Sequence, residues 1–77
     1  MQTMENGEVR SPGVGKVIEI LVAVGAQVAA GDEVIVIESM KMEIPVTAPR
    51  AGRVAQVAVA PGDQVQADDL LVTIVVQ

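Results

Sequence analysis

Laid over itself at an offset of 37 residues, the chain matches without a gap: of the 31 pairs running from Val9/Val46 to Ser39/Val76, twelve are identical. The matches include Pro12 with Pro49, Gly15 with Gly52, Val17 with Val54, Gly25 with Gly62, Val28 with Val65, Asp32 with Asp69 and Ile37 with Ile74. A valine-rich composition yields a few such identities by chance, but not a dozen spread over the whole overlay and including glycine, proline and aspartate. We read the pattern as a true duplication. It constrains the fold more than any other feature, because two copies of one short unit bury, face to face, what neither can bury alone.

Within each copy the pattern is that of β-structure. "GKVIEILV" (15–22) and "GRVAQVAV" (52–59) open with polar and apolar residues in alternation, the period of a strand with one face buried. "AVGAQVAAGDE" (23–33) and "APGDQVQADD" (60–69) follow as turns, with the Gly and Asp that supply positive φ and local capping. "VIVIES" and "LLVTIVV" close the copies as second strands. Sixteen valines and no Phe, Tyr or Trp make a thin core of branched side chains, whose restricted χ1 favours strands. The expectation is one all-β domain over residues 1–77, a flattened barrel or sandwich of two equal sheets with pseudo-two-fold symmetry. Its core is expected over about residues 8–76, with 1–7 flexible. A chain this short buries roughly 60% of its unfolded surface, which leaves no material for a second domain.

Charge and missing residue types narrow the function. Five basic against ten acidic residues give a net charge of −5, which opposes binding to phosphate backbones, and the absent aromatic rings remove the stacking on which single strands rest. Nucleic acid is therefore not an expected partner. The absence of Cys leaves no disulfides and no thiolate metal ligands, and the absence of His removes the commonest general base. "MQTMENGEVR" lacks a secretory signal's basic start and apolar centre, and no apolar run approaches the roughly 20 residues of a membrane span. A soluble, cytoplasmic domain with no membrane partner, monomeric when alone, is expected.

The two copies meet at "MKMEIP", so Lys41 stands at the junction between "VIVIES" and "EIPVTA". The shortest link between those strands is a tight hairpin, which would expose Lys41 at its tip and place the chain ends at the opposite pole. A turn lysine is ordinarily a solvated charge. Met40 and Met42 change the context: soft apolar side chains on a protruding loop suit recognition by another protein, unless they fold back onto the sheet edge.

The segment "ESMKMEIP" resembles the biotin-attachment motif of biotinyl domains, usually Ala-Met-Lys-Met, and Gly25, Gly31, Pro49, Gly52 and Gly62 fall where that family has its turns. The resemblance spans about residues 8–76. It implies two four-stranded antiparallel sheets in a flattened barrel, with biotin as cofactor in amide linkage to Lys41, and Met40 and Met42 as flanking recognition elements for a biotin protein ligase. It implies a carrier without catalytic residues of its own, which shuttles a carboxyl group from a biotin carboxylase to a carboxyltransferase, as in acetyl-CoA carboxylase or another biotin-dependent carboxylase. The sister lipoyl domains set Asp before and Ala after their lysine, so the two methionines favour biotin. A lipoyl or dual carrier and an unmodified adaptor remain as alternatives. Ser39 replaces the usual Ala, a change between small residues. No insertion separates Pro12 from Lys16, so the chain is similar to the short, thumbless members of the family. Met1 favours a free-standing protein.

Glu38 and Glu43 flank the lysine as a possible acidic collar for ligase contacts, although solvated strand-end charges are the plainer account. Asp32 with Glu33, and Asp68 with Asp69, invite a calcium reading. Their recurrence at matching places in both copies favours turn capping instead, and no metal site is expected.

Overall fold

The computed structural model describes residues 6–76, which form eight strands. In chain order these are β1 (Asn6–Arg10), β2 (Gly15–Ile20), β3 (Gln27–Val28), β4 (Glu33–Ser39), β5 (Met42–Thr47), β6 (Gly52–Val57), β7 (Gln64–Val65) and β8 (Leu70–Val75). They build two four-stranded antiparallel sheets, ordered β5-β4-β2-β7 and β1-β8-β6-β3. The molecule is elongated, 44 × 21 × 18 Å. Of the segment 1–7 expected to be flexible, residues 1–5 lie outside the described residues, while Asn6 and Gly7 begin β1.

The duplication reappears as symmetry down to single hydrogen bonds. Adding 37 to each strand of the first sheet's pairing reproduces the second: Val17↔Ile37 becomes Val54↔Ile74, and Val9↔Val72 answers Val46↔Ile35. The turn bonds repeat too, with Gly25 N donating to Val54 O at 2.8 Å and Gly62 N to Val17 O at 2.7 Å. These two bonds carry each turn across from one sheet to the other and close the barrel's sides. Short strands β3 and β7 lie inside the stretches expected to be turns. Two residues of ladder, with one buried valine each, leave no alternation to read.

The core is a stack of paired equivalents: Val17/Val54, Val28/Val65, Val34/Leu71, Ile35/Val72 and Ile37/Ile74, all buried. Consecutive buried residues, Val34-Ile35 and Leu71-Val72, break strict alternation. The cause is a bulge at the start of each second strand, between Glu33 and Ile35 in one copy and opposite Val9/Arg10 in the other. A second pair of bulges falls at Val17/Glu19 and Val54/Gln56. Ile18 and Glu19 both face solvent for that reason.

Asp32 and Asp69 are turn caps. Asp32 Oδ2 accepts from Ala29 N at 2.8 Å, and Asp69 Oδ2 accepts from Gln66 N at the same distance. Among the described residues no group of three or more Asp and Glu is placed to hold a metal ion. Asp69→Ala frees the Gln66 N–H and is expected to cost about 0.5–2 kcal/mol, the range for losing such a cap. Urea denaturation followed by circular dichroism would read it as a lower midpoint at unchanged slope, and Asp32→Ala should match it.

Candidate functional site: the β4–β5 hairpin

β4 and β5 pair from Glu33↔Thr47 to Ser39↔Met42, so two residues, Met40 and Lys41, make the whole connection. Both lie at positive φ, 53° for Met40 and 65° for Lys41. Positive φ at both central residues is the signature of a type I′ turn, whose twist matches the strands it joins. Such turns are built from Gly, which has no Cβ, and from Asn, whose short amide bonds locally, because other side chains are strained in the left-handed region by roughly 1–2 kcal/mol. Methionine and lysine are therefore poor choices for this geometry. Directly behind the tip Glu38 faces Glu43 as a cross-strand pair, and like charges directly opposite are destabilising. The hairpin is thus assembled against its own stability at four residues, Met40, Lys41, Glu38 and Glu43, a pattern that collects at functional sites.

Its side chains point outward. Met40 is 92% exposed and Met42 66%, so neither folds back onto the sheet edge. Lys41 is exposed, and among the described residues none gives its ammonium an ion pair or hydrogen bond. Met40→Asn, which suits the left-handed region while leaving Lys41 in place, is expected to raise stability by about 0.5–1 kcal/mol. A melt a few degrees higher would show it, and an unchanged or lower melting temperature would contradict the strain argument.

The short Ser11–Val14 loop stands beside the tip. Ser11, 3% exposed, donates its hydroxyl to Gly13 O at 2.6 Å and fixes the bend. Val14 is 67% exposed. It lines two hollows, one of about 550 Å³ shared with Lys16, Glu38 and Met40, and one of about 170 Å³ shared with Pro12, Ile37 and Ile44. Val14 thus extends the apolar surface begun by the methionines, a contribution that a lone valine between two glycines did not announce in the sequence.

Position on the molecule follows from the symmetry. The β2–β3 turn, at the end of β2 remote from the hairpin, bonds to Val54 near the close of β8, and Asn6 pairs with Val75 there. The lysine and the ends of the described chain therefore occupy opposite poles.

An antiparallel two-sheet barrel with a lysine on an exposed type I′ tip is a narrow geometry, and comparison with known proteins decides what it is. A family model described as "Biotin-requiring enzyme" matches residues 7–74. The chain belongs to the biotin/lipoyl-attachment family. This biotinyl domain is 51% identical over 41 residues to the biotinylated protein TB7.3 of Mycobacterium tuberculosis, an overlap covering 53% of the chain and 58% of the relative. It therefore spans little more than half the length of the curated relatives it matches. Among solved structures it superposes on part of a single-chain, multi-domain long-chain acyl-CoA carboxylase with a TM-score of 0.86 at 33% identity, covering 94% of this chain and 7% of that one. The urea carboxylase of Kluyveromyces lactis gives 0.87 at 36% identity, covering 96% of the biotinyl domain and 6% of the enzyme.

Proposed function

We propose that the domain is a biotin carboxyl carrier whose cofactor is joined through an amide to Nζ of Lys41. One observation carries the reading: the family's domain presents, on a strained two-residue tip, an exposed lysine between two exposed methionines. When bound, biotin supplies a ureido nitrogen that takes up and releases a carboxyl group, and everything else is positioning by the chain. Nothing in the domain obstructs that group, because Lys41 has no described partner to give up and no wall around it.

The modification itself is an acyl transfer in which Lys41 is the nucleophile. A biotin protein ligase presents biotinyl-AMP, the ε-amine attacks its acyl carbon, an amide C–N bond forms, and AMP leaves with the broken C–O bond. The amine must shed a proton to attack, and among the described residues none hydrogen-bonds Lys41, so the ligase takes that proton. Two-residue connection and left-handed backbone hold the lysine off the sheet, where a foreign active site can close around it. Met40 and Met42 flank it as adaptable apolar contacts for the ligase.

Tethering then converts encounters with a biotin carboxylase and a carboxyltransferase into repeated docking at high effective concentration, so weak contacts suffice. No residue of the domain takes part in the carboxylation chemistry, so it is a carrier and not an enzyme. The reading places it in the cytoplasm as a monomer between such encounters. Expression in cells holding both biotin and lipoate ligases, followed by intact and peptide mass spectrometry, tests it. A single biotinyl group on Lys41 is expected. A lipoyl group would redirect it to the oxo-acid dehydrogenase carriers, and a bare amine beside active ligase would leave an adaptor.

A further inference from the structure

The duplication supplies an internal control that few domains possess. Each outward position of one sheet has a counterpart on the other with the same backbone pairing, so differences between them are not demanded by the fold. Inward positions stay apolar in both copies: Val17/Val54, Val28/Val65 and Ile37/Ile74 are identical, and Val34/Leu71 and Ile35/Val72 exchange one branched residue for another. Along the middle of the outer faces the residues change in character.

Across the middle of the lysine-bearing sheet run Ile18, Val36 and Pro45, with Glu19 pairing to Val36 and Val36 to Pro45. Their counterparts on the other sheet are Ala55, Thr73 and Glu8. Leu21 continues the apolar strip, and its counterpart is Ala58. Ile18 is 36% exposed and Leu21 41%, large side chains left in water where the same backbone elsewhere carries alanine.

Charge divides in the same way. On the lysine-bearing face Glu19, Glu33, Glu38 and Glu43 are all exposed around one Lys16. At the places of the four glutamates the other sheet has Gln56, Leu70, Val75 and Asn6. Its outer charges are Arg10, Arg53 and Glu8, of which Arg10 and Glu8 pair at 2.7 Å. One face is thus an apolar strip in an acidic frame; the other has Ala55, Thr73 and Glu8 along the matching strip, half-buried Leu70 and Val75 where two of the glutamates stand, and Arg10 and Arg53 against Glu8. Solubility alone acts on both faces equally and does not produce that division.

Resting on the carrier reading, we propose that the outer face of β5-β4-β2 is the docking surface for the carboxylating enzyme, through an enzyme surface of Lys and Arg surrounding apolar side chains. An enzyme whose substrates are the anions ATP and bicarbonate carries positive charge about its entrance, complementary to the four glutamates. The face adjoins the tip through the Glu38↔Glu43 pair, so a partner seated on it has Lys41 at its rim and leaves the lysine uncovered. The opposite face stays in solvent.

Exchanging outward residues between the sheets tests this without asking the fold for anything new. Ile18→Ala with Val36→Thr, combined with Glu19→Gln, gives three positions of the lysine face the residues of their counterparts Ala55, Thr73 and Gln56. Ala55→Ile with Thr73→Val is the mirror control. Each biotinylated full-length chain is presented to a purified biotin carboxylase with ATP and bicarbonate. The face variant is expected to raise KM for the domain by about tenfold or more, in line with losing central interface residues, with kcat nearly unchanged. Mirror variant and wild type should agree, and the wild-type KM should climb with salt. Equal KM for both variants overturns the proposal, as does a KM defect that goes with a lost self-associated species, which would make a second copy the occupant. Slower biotinylation by the ligase with normal carboxylation overturns it in favour of the ligase. Failure of Lys41 to accept biotin in the wild type would be a different result, sinking the carrier reading itself.

Discussion

Lys41→Arg is expected to fold and melt as the wild type does and to take up no biotin. Arginine keeps the positive charge, the length and the backbone strain of the tip, but its guanidinium stays protonated and cannot serve as the acyl acceptor. Lys41→Ala should behave alike in the mass spectrum, with stability changed by no more than about 0.5 kcal/mol, the usual range for a surface position away from core and caps. The pair separates the chemistry of the amine from its charge. If either variant were still biotinylated, another group would be the acceptor, and Lys16, which shares a hollow with Met40, would be the first to examine.

The second large effect lies in the core. A Cβ placed on Gly52 would collide with the backbone carbonyl of Val75 and lie 2.9 Å from Ile74 Cγ2. Neither obstacle can swing aside, because both belong to β8, the central strand paired with β6 on one side and β1 on the other. Gly52→Ala is therefore expected to cost about 2–4 kcal/mol, at or above the usual range for overpacking. At roughly 4–8 °C per kcal/mol for a domain of this size, the melting temperature would fall by about 10 °C or more. Gly15 is the counterpart, where the added atom would stand 2.8 Å from Glu38 O and 3.6 Å from Ile37 Cγ2. Gly15→Ala should be the milder of the two. Thermal unfolding decides it, and a Gly52→Ala melt within a degree or two of wild type would show that β6 and β8 can separate more easily than their geometry indicates.

These glycines also mark where the sequence misleads. Gly52, at the head of the expected strand "GRVAQVAV" and, by the family resemblance, at a turn, opens β6 and serves close approach of two strands. Gly25 and Gly62 do serve positive φ, both at 94°. A glycine needed for φ and a glycine needed for space look the same in one dimension. Repetition was more informative. The offset of 37 carried the number of sheets, the equivalence of strands and the capping role of Asp32 and Asp69, because a duplicated fold repeats its bonds along with its residues. It also located the hairpin, since the junction between copies has to turn.

Its limits are equally physical. The bulges at Glu19 and Gln56 arise from fitting two twisted sheets together and leave only a blurred alternation in "KVIEI" and "RVAQV". The left-handed backbone of Met40 and Lys41 had no local signal, since their side chains argue against it. Strand pairing across the hairpin imposes that conformation, and the residues submit to it. The unequal outer faces could be seen only after register had assigned Glu19, Val36 and Pro45 to one row, with the bulged Ile18 beside them.

Asn6 and Val75 are cross-strand neighbours at the pole away from the lysine. A polypeptide that continued past both ends would enter and leave the domain side by side, as a cable meets a plug. The domain can then sit at the end of a chain or within one without parting what flanks it. In either setting Lys41 is held at the opposite pole of a molecule 44 Å long from Asn6 and Val75. The barrel works as a boom that carries the lysine at its far end.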